Sequence, residues 1–144
     1  MYRCIVVGTD GSETAAVAVR HAIALAKATG GELHLVTAWS SGSAGVAAGV
    51  GLMPLATADA DMAAWAEGLL ASCAAEAAGQ AVTAQTHAVE GPPVQALIDV
   101  ARAMGADLLV TGNRGMTGLR GMLGSVPNSL AHRAPCAVLI VPTS

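Results

Sequence analysis

Two hydrophobic rhythms alternate along the chain. Short runs of β-branched and aliphatic residues, such as RCIVVGT at 3–9 and CAVLIV at 136–141, are separated by longer Ala-rich stretches whose apolar positions recur at helical spacing. The pattern predicts strand one at 3–9, helix one at 13–29 with Ala16, Val19, Ile23 and Ala26 on one face, and strand two at 32–39. Gly30 and Gly31 end the first helix. Helix two follows at 57–78, its apolar face built from Met62, Trp65, Leu69 and Cys73, then strand three at 81–88. Helix three is expected at about 92–104, strand four at 107–111, helix four at about 126–133 and strand five at 136–141.

Strand and helix in strict alternation, joined by right-handed crossovers, give a mainly parallel sheet covered by helices on both faces. The fold class expected is α/β: a single doubly wound, Rossmann-like domain over residues 1–144, with a five-stranded sheet in the order 3-2-1-4-5. Such sheets bind ligands outside the carboxyl ends of their strands, where the strand order reverses. The loops after strands one, two and four are therefore the places to search. Residues 40–56, SSGSAGVAAGVGLMPLA, break the pattern with small uncharged side chains. They read either as a lid or partner surface or as a connection too poor in hydrogen-bonding side chains to hold one conformation.

Composition narrows the function classes. A chain of 144 residues makes one domain. With 53% hydrophobic residues but no Phe, one Tyr and two Trp, the core must be built from Ala, Val, Leu, Ile and Met. The net charge of -3 leaves no basic footprint for nucleic acid. No apolar run reaches membrane-spanning length and no leader pattern opens the sequence, so the expected location is the cytoplasm, without membrane contact. Cys4, Cys73 and Cys136 lie far apart with no CxxC spacing and read as free thiols. His21, His34 and His87 show no ligand spacing such as HxxxH and read as ordinary helix or strand residues, so no metal site is expected.

The chemistry concentrates in TGNRGMTGLRGMLGSVPNSL, residues 111–130. Gly112, Gly115, Gly118, Gly121 and Gly124 follow strand four, and Ser125 stands as the N-cap of helix four with Pro127 in its first turn. A helix start offers unpaired N–H groups and the positive end of a dipole, so Gly124, Ser125 and Val126 suit a phosphate. The alternative is that the glycines merely turn the chain and Ser125 merely caps. The loop also carries Arg114 and Arg120, whose donor forks match phosphate oxygens or stay solvated. Neither a Walker loop nor GxGxxG is present, and the one lysine, Lys27, lies in helix one. After strand one, Asp10 reads either as an acceptor for a ribose or base or as a cap for helix one, a role Ser12 also fits.

Together CIVVGTDGS, GADLLVTGNRG and GSVPNSLAHRAPCAVLIV resemble the universal stress protein family, in its nucleotide-binding branch, over essentially the whole chain. The branch carries Gly, two residues, Gly, nine residues, Gly and then Ser or Thr; here eight residues separate Gly115 from Gly124. The resemblance implies that Gly112, Gly115, Gly124, Ser125 and Val126 wrap the phosphates and ribose, in a loop that includes Asn113 and Arg114. It further implies that Thr9, Asp10 and the backbone near Ala38 receive the adenosine, that Thr111 lies against the ribose or base, and that residues 136–141 pair two copies into a homodimer.

The expected ligand is an adenine nucleotide. ATP stands first, accompanied by Mg where required, with AMP, ADP or cAMP as alternatives. Phosphoryl transfer needs positioned cations, a metal-holding acid and a group to orient the nucleophile. The loop has neither lysine nor acid, so no catalytic residue is assigned and at most slow ATP hydrolysis is expected. The functional expectation is a stress-response sensor or regulator that binds its nucleotide. A cAMP-binding protein and a ligand-independent dimeric interaction module are the alternatives.

Overall fold

In the computed structural model, residues 1–40, 55–113 and 125–143 are described. The elements are β1 (Cys4–Gly8), α1 (Glu13–Thr29), β2 (Glu32–Trp39), α2 (Leu55–Gly79), β3 (Ala84–Glu90), α3 (Pro93–Met104), β4 (Leu108–Gly112), α4 (Ser125–Arg133) and β5 (Ala137–Val141). Side-chain alternation on the central strand separates two helical layers. Ile5 and Val7 join a core with α1 and α2 that also takes Leu33, Leu35, Leu108 and Val110. Val6 joins the opposite core with Val36 and Leu109 beneath α3 and α4. Strands buried on both faces read as continuous apolar runs, which is why CIVVG shows no polar alternation.

All four pairings are parallel and the order is β3-β2-β1-β4-β5, the order expected from the sequence. The chain winds outward from β1 through β2 to β3, then crosses to the other side of β1 for β4 and β5. The strand order therefore reverses between β1 and β4, and their carboxyl ends flank the crevice that such a reversal opens.

Several expected boundaries shift for local reasons. The buried stripe of α2 runs through Ala66, Leu70 and Ala77, with Cys73 and Ala74 packed beside it, and Trp65 is 44% exposed. The expected face centred on Met62, Trp65 and Leu69 is thus displaced, because small alanines let the helix sit closer to the sheet. Strand three begins at Ala84 instead of 81: the end of α2 closes with Val82 N–H donating to the Ala77 carbonyl, which sets Ala81 at φ 61°. Helix four starts one residue early, so Ser125 lies inside its first turn rather than at its cap. Pro127 is still well placed there, since the first four N–H groups of a helix have no intrahelical partner.

The loop joining α1 to β2 shows what a glycine can be required for. Gly30 caps α1 at φ 71°. At Gly31 a Cβ would meet the Tyr2 carbonyl oxygen at 2.6 Å, so the amino end of β2 comes against the amino end of β1 with no room for a side chain.

Candidate functional site

The crevice is floored by Gly8, Thr111 and Gly112 at the strand ends and walled by Thr14 and Ala15 of α1, Leu97 of α3 and Val126 of α4. Each glycine clears space for a neighbour. A Cβ on Gly8 would lie 3.0 Å from Leu97 Cδ2, and one on Gly112 would lie 3.1 Å from Thr143 Cγ2 and 3.5 Å from the Thr14 carbonyl oxygen. The cavity at the floor is about 20 Å³, room for a water and little more, so an organic ligand would lie across the crevice rather than inside it. A larger groove of about 380 Å³ lies between α1 and α2, lined by side chains such as Ile23, Ala24 and Ala28 with Lys27 and Glu76. It lies away from the strand ends and the start of α4, so the smaller crevice is the better candidate on chemistry.

The β1–α1 turn is built by its own side chains. Thr9 continues the sheet by donating its N–H to the Val36 carbonyl at 2.9 Å, and its hydroxyl accepts the Gly11 N–H at 3.2 Å. Asp10 Oδ1 accepts the Ser12 N–H at 2.9 Å, a turn that fixes the carboxylate two residues beyond Gly8. Ser12, and not Asp10, caps α1: its Oγ accepts the Ala15 N–H at 3.1 Å. Capping thus leaves the second Asp10 oxygen outside the cap. Gly11, at φ 84°, completes the turn.

At the floor, Thr111 is buried and its hydroxyl donates to the Gly112 carbonyl at 3.4 Å. Asn113 Oδ1 accepts the Thr143 hydroxyl at 2.6 Å and the Thr143 N–H at 3.2 Å, while its own N–H donates to the Val141 carbonyl at 2.9 Å. Asn113 thus ties the exit of β4 to the chain beyond β5. Val126 is buried against the crevice and Ser125 is exposed beside it, which places the amino end of α4 next to the strand ends. Ala38, half-buried, sits near the end of β2 in register with Val89. Arg114, Gly115 and Gly124 lie outside the described residues.

Sequence reasoning missed Gly8, Thr14, Ala15 and Leu97 as walls, and Trp65 as a neighbour. Gly8 ends an apolar strand and was the available signal. Trp65 Cζ2 would come 3.9 Å from a Cβ on Gly11, with Leu69 Cδ2 at 3.4 Å, so the face of α2 displaced from the core instead backs the Asp10 turn.

The family model described as the universal stress protein family matches residues 1–142. The chain is 31% identical over 147 residues to the universal stress protein YxiE of Bacillus subtilis, covering 98% of this chain and 99% of the relative. It is 32% identical over 154 residues to the universal stress protein MJ0531 of Methanocaldococcus jannaschii, covering 98% of this chain and 82% of that one. Among solved structures, a universal stress protein in complex with cAMP is 34% identical and superposes with a TM-score of 0.72 over 99% of this chain and 98% of its own. Among the described residues no helix is long and apolar enough to cross a membrane.

Proposed function

The chain belongs to the universal stress protein family, and from that premise we propose that it binds an adenine nucleotide across the crevice at the carboxyl ends of β1, β2 and β4 and serves as a sensor or regulator. The observation that carries the reading is the convergence of a fixed Asp10 turn, two glycines packed closely against Leu97 and Thr143, and the amino end of α4 on one switch point. In this reading Thr9, Asp10 and the backbone near Ala38 take the adenosine and Thr111 lies against it. Gly112, Gly115, Gly124, Ser125 and Val126 take the phosphates, with Arg114 alongside.

ATP is the nucleotide proposed. The crevice offers backbone N–H groups, a helix terminus and the Asp10 carboxylate, and this set fits Mg bound through the nucleotide's phosphates better than a metal held by protein ligands alone. Binding, with at most slow hydrolysis, is the activity proposed. A second reading, cAMP, is favoured by the 34% identical solved structure that holds cAMP, and by a loop one residue shorter than the branch pattern between Gly115 and Gly124. We further propose that β5, which pairs with β4 on one side, supplies the edge for a homodimer.

Identifying the small molecules released when freshly purified chain is denatured tests the reading. An adenine nucleotide in near-stoichiometric amount supports it, and its phosphate number decides between ATP and cAMP. Chain that carries none and takes up none of the four nucleotides on incubation would leave the interaction module as the better account.

A further inference from the structure

We propose that Cys4, Glu32 and His34 form a binding site for a divalent transition cation of the zinc class, at the amino-terminal end of the sheet. Parallel pairing sets Cys4 beside Glu32 and Val6 beside His34, so Glu32 and His34, two residues apart on β2, share a face with Cys4 on β1. Their donor atoms, Cys4 Sγ, a Glu32 carboxylate oxygen and a His34 ring nitrogen, all lie within 4.8 Å of one another.

His34 carries the argument. It is 1% exposed, and its Nε2 has no hydrogen-bond partner. Its other nitrogen, Nδ1, lies 3.0 Å from His87 Nε2 on β3. With the proton on His34 Nδ1 donated to His87, the Nε2 lone pair is left directed at Cys4 and Glu32. A histidine held through one ring nitrogen by an outer partner, with the other free to ligate, is the arrangement that orients metal-bound imidazoles.

The His34–Glu32 spacing is nearer that of two ligands on one metal than that of a hydrogen bond. His34 Nε2 and Glu32 Oε2 stand 3.7 Å apart, too long for a good hydrogen bond. Ligand atoms sharing one tetrahedral zinc are separated by about 3.3 to 3.6 Å. A mixed sulfur, nitrogen and oxygen set favours zinc or cobalt over magnesium or calcium. Glu32 is 72% exposed and gives the cation a route from solvent, while solvent takes the fourth position. The Cys4 thiol donates toward the Met104 carbonyl at 3.6 Å; on binding, that proton leaves to solvent and the thiolate takes the metal. Cys4 and Gly8 are opposite ends of β1, so this site is separate from the crevice and stands without the nucleotide reading.

The ligand spacing was invisible in sequence because residue 4 and residues 32 and 34 meet across two strands. Titration of Co²⁺ into the reduced full chain, followed by thiolate-to-cobalt charge-transfer absorption, tests the site. The expected result is a band that saturates at one cobalt per chain and is bleached by zinc. Cys4→Ser should abolish the band and Cys73→Ser should leave it unchanged. Glu32→Gln, at an exposed position that spares the fold, should weaken cobalt affinity roughly tenfold or more. Absence of the band in the native chain, its survival in Cys4→Ser, its loss in Cys73→Ser or an unchanged affinity in Glu32→Gln would each overturn the proposal.

Discussion

The Thr37 hydroxyl on β2 donates to the Thr9 carbonyl on the neighbouring chain exit across 3.1 Å, with both residues buried. Together with the Thr9 N–H bond to Val36, it holds both backbone groups of the residue that enters the Asp10 turn. Thr37→Val keeps the shape and removes the donor, leaving a buried carbonyl unpaired at a cost of about 1–2 kcal/mol. The expected outcome is that loss in the denaturant midpoint, accompanied by weaker nucleotide binding. Stability lost with affinity intact would detach the Thr9 turn from the site.

Asp10 separates a structural from a ligand-facing role by choice of substitution. Asparagine can still accept the Ser12 N–H that Asp10 Oδ1 accepts at 2.9 Å, so Asp10→Asn preserves the turn and removes the charge. If the carboxylate takes a ribose or base hydrogen bond, Asp10→Asn weakens binding roughly tenfold, about 1.4 kcal/mol, with no change in melting temperature. Tryptophan emission should follow the binding, because Trp65 backs this turn. Full affinity in Asp10→Asn would assign Asp10 to the turn alone.

Asp107 clamps the start of β1. Its Oδ2 accepts the Arg3 N–H at 2.9 Å and its Oδ1 accepts the Cys4 N–H at 3.1 Å. The bond from Arg3, with that from Cys4, holds its pKa below the ordinary 3.8, against an opposing contribution from desolvation. A carboxylate depressed in the folded state contributes stability in full above its unfolded pKa, and the contribution is lost as pH falls through the lower folded value. Native chain should therefore exceed Asp107→Asn in stability at about pH 6, and the gap should narrow as pH falls below 3.8. A gap of constant size across that range would contradict the assignment.

At the edge of the sheet Leu139 on β5 is 36% exposed, and β5 pairs only with β4 among the described strands. An apolar edge left unpaired invites association, and a lysine there blocks it. Leu139→Lys should convert a dimer to a monomer in light scattering without loss of helix signal. A native chain that is monomeric at every concentration would remove the dimer proposal.

The element sequence was legible because the central strands β1 and β4 are apolar on both faces and the two long helices, α1 and α2, are Ala-rich. Precise faces were less so. Trp65 looked like core by size, yet the sheet is met by Ala66 and Leu70, because close helix packing selects small residues. The beginning of strand three was hidden by Ala81, whose positive φ nothing in an alanine announces. At the site, Asp10 and the strand-four glycines were visible as motif residues, but their walls were not. Leu97 reaches Gly8 from a helix 89 positions away in the chain, and Cys4 meets His34 across strands that pairing register alone brings together.

The central claim, that the switch-point crevice binds an adenine nucleotide, is tested most directly by calorimetric titration of ATP and cAMP into the native chain and into Ala15→Leu. Ala15 walls the crevice, its backbone N–H remains available to Ser12, and leucine is a good helix former, so the substitution fills the crevice and leaves α1 standing. The account predicts saturable one-to-one heat with the native chain and a loss of roughly tenfold or more in affinity with Ala15→Leu. Equal affinity in both chains, or no heat from either nucleotide in the native chain, would contradict it.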